Sequence, residues 1–97
     1  MAKISFLVET DALIRSLHVA PAGGDATRVP LVEDADGNST GSVDVAPGSY
    51  DFMLVLRAGT PEGEYKLTLR RDALDPVERP GVLDGIGNGG DVGTFSF

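Results

Sequence analysis

The feature that most narrows what this chain can fold into is its alternation of apolar residues. In Ser49-Tyr50-Asp51-Phe52-Met53-Leu54-Val55-Leu56-Arg57 and in Glu64-Tyr65-Lys66-Leu67-Thr68-Leu69-Arg70, every second residue is large and apolar. Successive side chains of a strand point to opposite faces, so a period of two predicts half-buried β-strands. The same period places Ile4, Phe6 and Val8 on one face of 3–9, and Val43 and Val45 inward with Asp44 outward in 41–46. Residues 27–33 read as another strand. Pro30 has no N–H for a ladder, which confines that strand to an edge or a bulge. Thr94-Phe95-Ser96-Phe97 predicts a last strand, with Phe95 and Phe97 alternating.

Two segments are less regular. In 12–19, a helix capped by Thr10 or Asp11 would put Leu13, Ile14 and Leu17 on a core face. A strand would align Leu13, Leu17 and Val19 instead. Pro21 and Gly23-Gly24 stop the segment too soon for a typical helix, so the strand is preferred. Residues 72–91 are rich in Pro, Gly and Asp. They read as a long irregular connection, or as one that hides a turn around Val82, Leu83 and Ile86. No internal repeat or heptad stands out.

The two long strands flank Ala58-Gly59-Thr60-Pro61-Glu62-Gly63, a stretch with turn chemistry. Setting Arg57 opposite Glu64 aligns Val55 with Lys66, Met53 with Thr68 and Asp51 with Arg70. On the other face it aligns Leu56 with Tyr65, Leu54 with Leu67 and Phe52 with Leu69. One register thus yields an apolar face and two opposite-charge pairs, and a slip of one residue would bury Lys66 and Arg70. The expectation is a β-hairpin. Several short strands joined by Gly- and Pro-bearing turns predict one all-β domain over 1–97. Its expected form is a small antiparallel two-sheet sandwich, immunoglobulin-like or related. The Tyr65-x-Leu67-x-Leu69 strand after its Gly-Thr-Pro-Glu-Gly-Glu turn is similar to strands of accessory β-domains that accompany bacterial enzymes. That likeness of one turn and one strand names no family.

Charge and composition exclude several classes. The 97 residues carry a net charge of −7 at pH 7. An acidic surface repels phosphate backbones and anionic lipid, so neither nucleic acid nor a membrane is an expected partner. There is no cysteine, so the fold is independent of disulfides. The apolar run in the first eleven residues is too short for a signal peptide or membrane helix. If the chain is full length, the cytoplasm is the expected compartment.

Residues 33–42, Glu-Asp-Ala-Asp-Gly-Asn-Ser-Thr-Gly-Ser, match three functional motifs. Gly37-Asn38-Ser39-Thr40-Gly41 is G-x-S-x-G. A nucleophile elbow needs a helix after the serine and a histidine later in the chain. Here a strand pattern follows, and the only histidine, His18, comes earlier. Asp34, Asp36 and Asn38 supply oxygens at the first, third and fifth positions of a calcium loop. Ser39 and Val45 then stand where the pattern needs Gly and a bidentate Glu. Asn38-Ser39-Thr40 is a glycosylation acceptor that would need the secretory pathway. The expected identity of the stretch is a turn between strands.

Further along, residues 85–90 match G-x-G-x-x-G. The dinucleotide fingerprint needs a helix after it, and a strand pattern follows instead. Gly87-Asn88-Gly89-Gly90-Asp91 resembles one unit of a calcium β-roll, but one unit does not stack. His18 has no companion for a metal site or triad. Arg57, Lys66, Arg70 and Arg71 read as a solvated strand face.

Strand 50–57 is apolar on both faces. With Thr68 alongside, Met53 and Val55 form a semi-apolar surface that needs cover from 72–91 or from another chain. The expected function is therefore a non-catalytic interaction or assembly module without a cofactor, whose partner is a protein or a second copy. The alternative is a ligand-binding accessory module for calcium or carbohydrate, using loops 34–41 and 84–91. An aromatic content of 6% without Trp weighs against sugar. An enzyme is disfavoured because nothing pairs a nucleophile with a base.

Overall fold

The alternating segments all become strands. The computed structural model describes residues 2–71 and 74–96. Among these residues nine strands follow in order: β1 (Ala2–Glu9), β2 (Leu13–Pro21), β3 (Thr27–Arg28), β4 (Val32–Glu33), β5 (Ser39–Val45), β6 (Ser49–Arg57), β7 (Glu64–Arg71), β8 (Val77–Val82) and β9 (Gly89–Ser96). They form two antiparallel sheets, β4-β5-β1-β7-β8 and β3-β2-β6-β9. These pack face to face as a small β-sandwich. The first strand sits in the middle of its sheet. In the immunoglobulin order it lies at an edge, so this sandwich is of a related kind.

The inward faces are those the alternation predicts. Ile4, Phe6 and Val8 from β1 meet Phe52, Leu54 and Leu56 from β6, with Leu67 and Leu69 from β7 and Leu17 and Val19 from β2. Phe95 packs among Phe6, Tyr50 and Phe52, with ring centroids 5.5–6.5 Å apart. Phe97 lies outside the described residues.

The predicted hairpin does not form. β6 pairs with β2 and β9, while β7 pairs with β1 and β8. The Ala58–Gly63 segment is an arch that carries the chain from one sheet to the other. Leu54 and Leu67 thus face each other across the core instead of side by side. Asp51 and Arg70, and Arg57 and Glu64, end on different sheets. Lys66 instead lies 3.7 Å from both Glu9 and Glu78 on the strands that flank it. An inward alternation is the same for strands that pair and strands that stack, so the sequence pattern could not separate these cases.

Three other expectations are refined. Segment 12–19 is a strand, but its register with β6 shifts between Ile14 and Ser16, leaving Arg15 as a bulge. The bulge turns Leu13 outward, to 70% exposure, and Ile14 inward. Residues 27–33 form two edge strands of opposite sheets, with Pro30 between them where the chain crosses over. The described part of 72–91 contains β8, an edge strand on β7 that tolerates Pro80, and the turn into β9.

The sandwich also contains an internal duplication that the sequence reading missed. Replacing β1, β2 and β5 by β6, β7 and β9, and β3 with β4 by β8, turns the order β5-β1-β7-β8 into β9-β6-β2-β3, which is the other sheet. The registers agree: Ala2 pairs Val45, and their counterparts Tyr50 and Phe95 pair too. The signature is Pro30-x-Val32-x-Asp34-x-x-Gly37-Asn38, repeated as Pro80-x-Val82-x-Asp84-x-x-Gly87-Asn88. Both copies close with the same bonds. Asp34 N–H donates to Asn38 O and Asp84 N–H to Asn88 O, each at 2.7 Å. Asp34 Oδ1 accepts from the amides of Asp36 and Asn38, and Asp84 Oδ1 from those of Ile86 and Asn88. Gly37 and Gly87 share a φ of 81°, which a side chain disfavours.

The connections between sheets are tied down individually. Tyr50 Oη donates to Ala46 O at 2.6 Å across the β5–β6 corner, as in a tyrosine corner. One long side of the sandwich is closed covalently by the crossing at Pro30, where Val29 packs near Gly41. The other is closed by their counterparts fifty positions later, Arg79 and Asp91, which form a bidentate ion pair between β8 and β9. The Arg79 guanidinium also lies 5.4 Å from the centroid of the Phe52 ring.

Candidate functional site

The two outer faces differ although the two sheets are counterparts. Outward positions of the five-stranded sheet carry Lys3 and Asp44 in register, Ser5 and Ser42, Lys66 between Glu9 and Glu78, and Arg70. On the four-stranded sheet, one row across the strands runs Arg28, His18, Met53, Val92. Val55 and Leu13 continue the apolar surface along its length. Met53 is 47% exposed and Val92 70%.

The predicted surface of Met53, Val55 and Thr68 is therefore split. Met53 and Val55 share the outer face of the four-stranded sheet. Thr68 points out of the opposite sheet, beside Leu7 and Glu78, and is only 5% exposed. The cause is again the arch between β6 and β7. The described part of 72–91 gives Met53 and Val55 no cover, because β8 lies at the edge of the other sheet. Two residues of the face escaped sequence reasoning. Val92 was legible from its alternation with Thr94. Leu13 was not, because its orientation depends on the Arg15 bulge.

Loops 34–41 and 84–91 lie at the same end of the sandwich, together with the β1–β2 turn and the β6–β7 arch. Asp11 joins the last two. Its carboxylate accepts the Thr60 N–H at 3.2–3.3 Å and the Thr60 hydroxyl. These bonds, the hydroxyl first, hold its pKa below the usual value of 3.8. Asp34, Asp36 and Asn38 stand in the β4–β5 turn, where Asp34 Oδ1 is engaged by backbone amides. Among the described residues, no group of three or more His, Asp or Glu is arranged to hold a metal ion. Ser39 begins β5 in one sheet, and His18 lies on the outer face of the other.

The two Asp-x-x-Gly-Asn turns of this end are docked differently. Turn 84–88 is bound to the arch: Gly59 N–H donates to Gly87 O, Ala58 N–H to Asn88 Oδ1, Glu62 N–H to Asp84 O, and Leu83 N–H to Gly63 O, at 2.8–3.2 Å. Leu83 is 2% exposed beneath it. Turn 34–38 makes no such bonds with residues 10–12 among the described residues. Between them opens a crevice of about 670 Å³, with Ala12, Ile14 and Leu31 on its apolar side and Asp11, Arg28 and Glu33 among its polar groups. No family model, curated protein or solved structure matches this chain.

Proposed function

We propose that this domain is a non-catalytic assembly module that self-associates through the outer face of its four-stranded sheet. The observation that carries the reading is the outward row of β6, which runs Asp51, Met53, Val55, Arg57. A two-fold axis between Met53 and Val55 sets Asp51 of one copy against Arg57 of the other, and Met53 against Val55. The row is thus complementary to itself in charge and in apolarity, which an isologous contact requires. Neither Asp51 nor Arg57 has an ion-pair partner among the described residues. Val92 beside Met53 widens the apolar centre, and Leu13 beside Arg57 extends the apolar surface toward its end. Stacked sheets cross at about 30°, so the match holds best near the axis, where the apolar residues sit.

Sedimentation across a concentration series tests the proposal. The wild type is expected to form dimers, and Met53→Lys with Val55→Thr to remain monomeric with an unchanged melting temperature. Asp51→Arg should weaken the dimer, and adding Arg57→Asp should restore it. A wild type that stays monomeric up to about 1 mM, a concentration at which even weak complexes form, overturns the reading.

A further inference from the structure

The duplication shows what the crevice between residues 10–14 and 28–39 lacks. Leu67 pairs Val8, and its counterpart Ile14 pairs Leu56, so Tyr65 and Ala12, each two residues earlier, are counterparts as well. Leu83 corresponds to Glu33, one residue before the matching Asp of each turn. In the second half a tyrosine ring, a leucine and the six-residue arch 58–63 fill this space. In the first half an alanine, a glutamate and the three-residue turn 10–12 leave it open. Glu33 pairs Ser39, and Ser39 pairs the inward-facing Val8, so the carboxylate occupies a core-facing register position. It is exposed there because no described residue covers it.

We propose that this crevice binds an extended peptide segment of a partner protein that carries a lysine or arginine. The second half supplies the template, since there the arch lies in the equivalent place and donates three hydrogen bonds to the turn. A bound segment would donate to the corresponding acceptors, Gly37 O, Asn38 Oδ1 and Asp34 O, as strand-addition ligands do. Its side chain would run its methylenes along Ala12, Ile14 and Leu31 and bring its charge to Glu33. A leucine in that place would bury a carboxylate without a partner, which is costly, so the charge selects a basic residue. Asp11 is held by Thr60, and Arg28 donates to Arg15 O at 3.3 Å, which leaves Glu33 as the group that reads the cation. This site lies at the loop end, away from the Met53 and Val55 face, and does not depend on self-association.

The test is an NMR titration of the full chain with a capped pentapeptide bearing a central lysine in an Ala/Gly context. The same peptide with norleucine, and n-butylamine alone, serve as comparisons. Amide shifts are expected at residues 10–14 and 33–39, with the lysine peptide binding about tenfold more tightly than the norleucine one. Glu33→Gln, at an exposed position, should keep the melting temperature and erase that preference. The proposal is overturned by an absence of shifts at about 10 mM peptide, where even millimolar ligands saturate. It is equally overturned by shifts centred elsewhere, by a preference that survives Glu33→Gln, or by butylamine binding as tightly as the peptide.

Discussion

The Tyr65 hydroxyl donates to Gly90 O at 2.6 Å and so joins β7 of one sheet to β9 of the other. Its ring lies where a Cβ on Gly81 would fall, 2.3 Å from Tyr65 Cζ, so only glycine fits opposite it. Burial, and then the nearby Asp91 charge, push the phenol pKa above its usual 10.0. The folded protein therefore keeps this proton at a pH where the unfolded chain loses it. The resulting stability is present below pH 10 and declines as pH rises above it. Tyr65→Phe should cost about 1 kcal/mol, the usual worth of a hydrogen bond to a part-buried carbonyl. The gap between wild type and variant should be full below pH 10 and narrow above it in urea unfolding. A gap that widens with pH would contradict the assignment. Leu67, fully buried between the sheets, makes the harsher test. Leu67→Asp sets an unpaired carboxylate in the core, at a cost of several kcal/mol against a total of about 5–15. The variant should lack a cooperative melt, and a cooperative melt would show that the face is not inward.

At the scale of elements, the two Asp-x-x-Gly-Asn turns are one structure in two settings. Each glycine has the same φ of 81°, so Gly37→Ala and Gly87→Ala carry the same backbone strain, about 1–2 kcal/mol. A Cβ on Gly87 would also fall 2.0 Å from Gly59 O, whereas on Gly37 the nearest neighbour is a flexible Glu33 oxygen at 3.9 Å. Gly87→Ala should thus lower the melting temperature well beyond Gly37→Ala and raise amide exchange in 58–63. Equal losses would mean that the docking of turn 84–88 on the arch contributes nothing. These turns also show where sequence reasoning reached its limit. Their Asp, Gly and Asn marked them as turns, since the nucleophile elbow and the dinucleotide fingerprint need a following helix and the calcium loop needs further ligands. Strand faces were legible for the same local reason. Strand partners were not: Ala58–Gly63 has the composition of either a hairpin loop or an arch, and alternation is blind to the difference. The charge of Lys66 fitted an imagined neighbour because the strands on both sides of β7 supply acids, Glu9 and Glu78, whereas Arg70 faces Ser5 and forms no ion pair among the described residues. β8 was missed because Pro80 and Gly81 hide a strand whose edge position tolerates both. For the candidate surfaces, Met53 and Val55 were legible from two-sided apolarity, and the crevice was not. It is visible only when Ala12 and Glu33 are compared with Tyr65 and Leu83.

At the scale of the molecule, the duplication is not a pair of independent halves. β1 pairs β5 of its own half and β7 of the other, and β6 pairs β9 of its own half and β2 of the other. Each sheet therefore has a seam between halves at its centre, and the core mixes Phe6 with Phe95 and Leu17 with Leu54. The halves differ in how each closes its own side of the sandwich: Val29 and Gly41 within the first, Arg79 and Asp91 within the second. Since the central pairings cross between halves, neither half can bury its inward faces alone, and short strands with open edges are unstable in water. The intact chain should unfold in one cooperative step. The segments 1–47 and 48–97, made separately, should each give the spectrum of an unfolded chain by circular dichroism and NMR. Mixed in equal amounts, they should recover strand signal and the dispersed spectrum of the intact protein, because the surface each lacks is the one the other supplies. A dispersed spectrum from either segment alone, or two separate transitions in the intact chain, would show that the halves fold independently and that the central seams do not hold the molecule together.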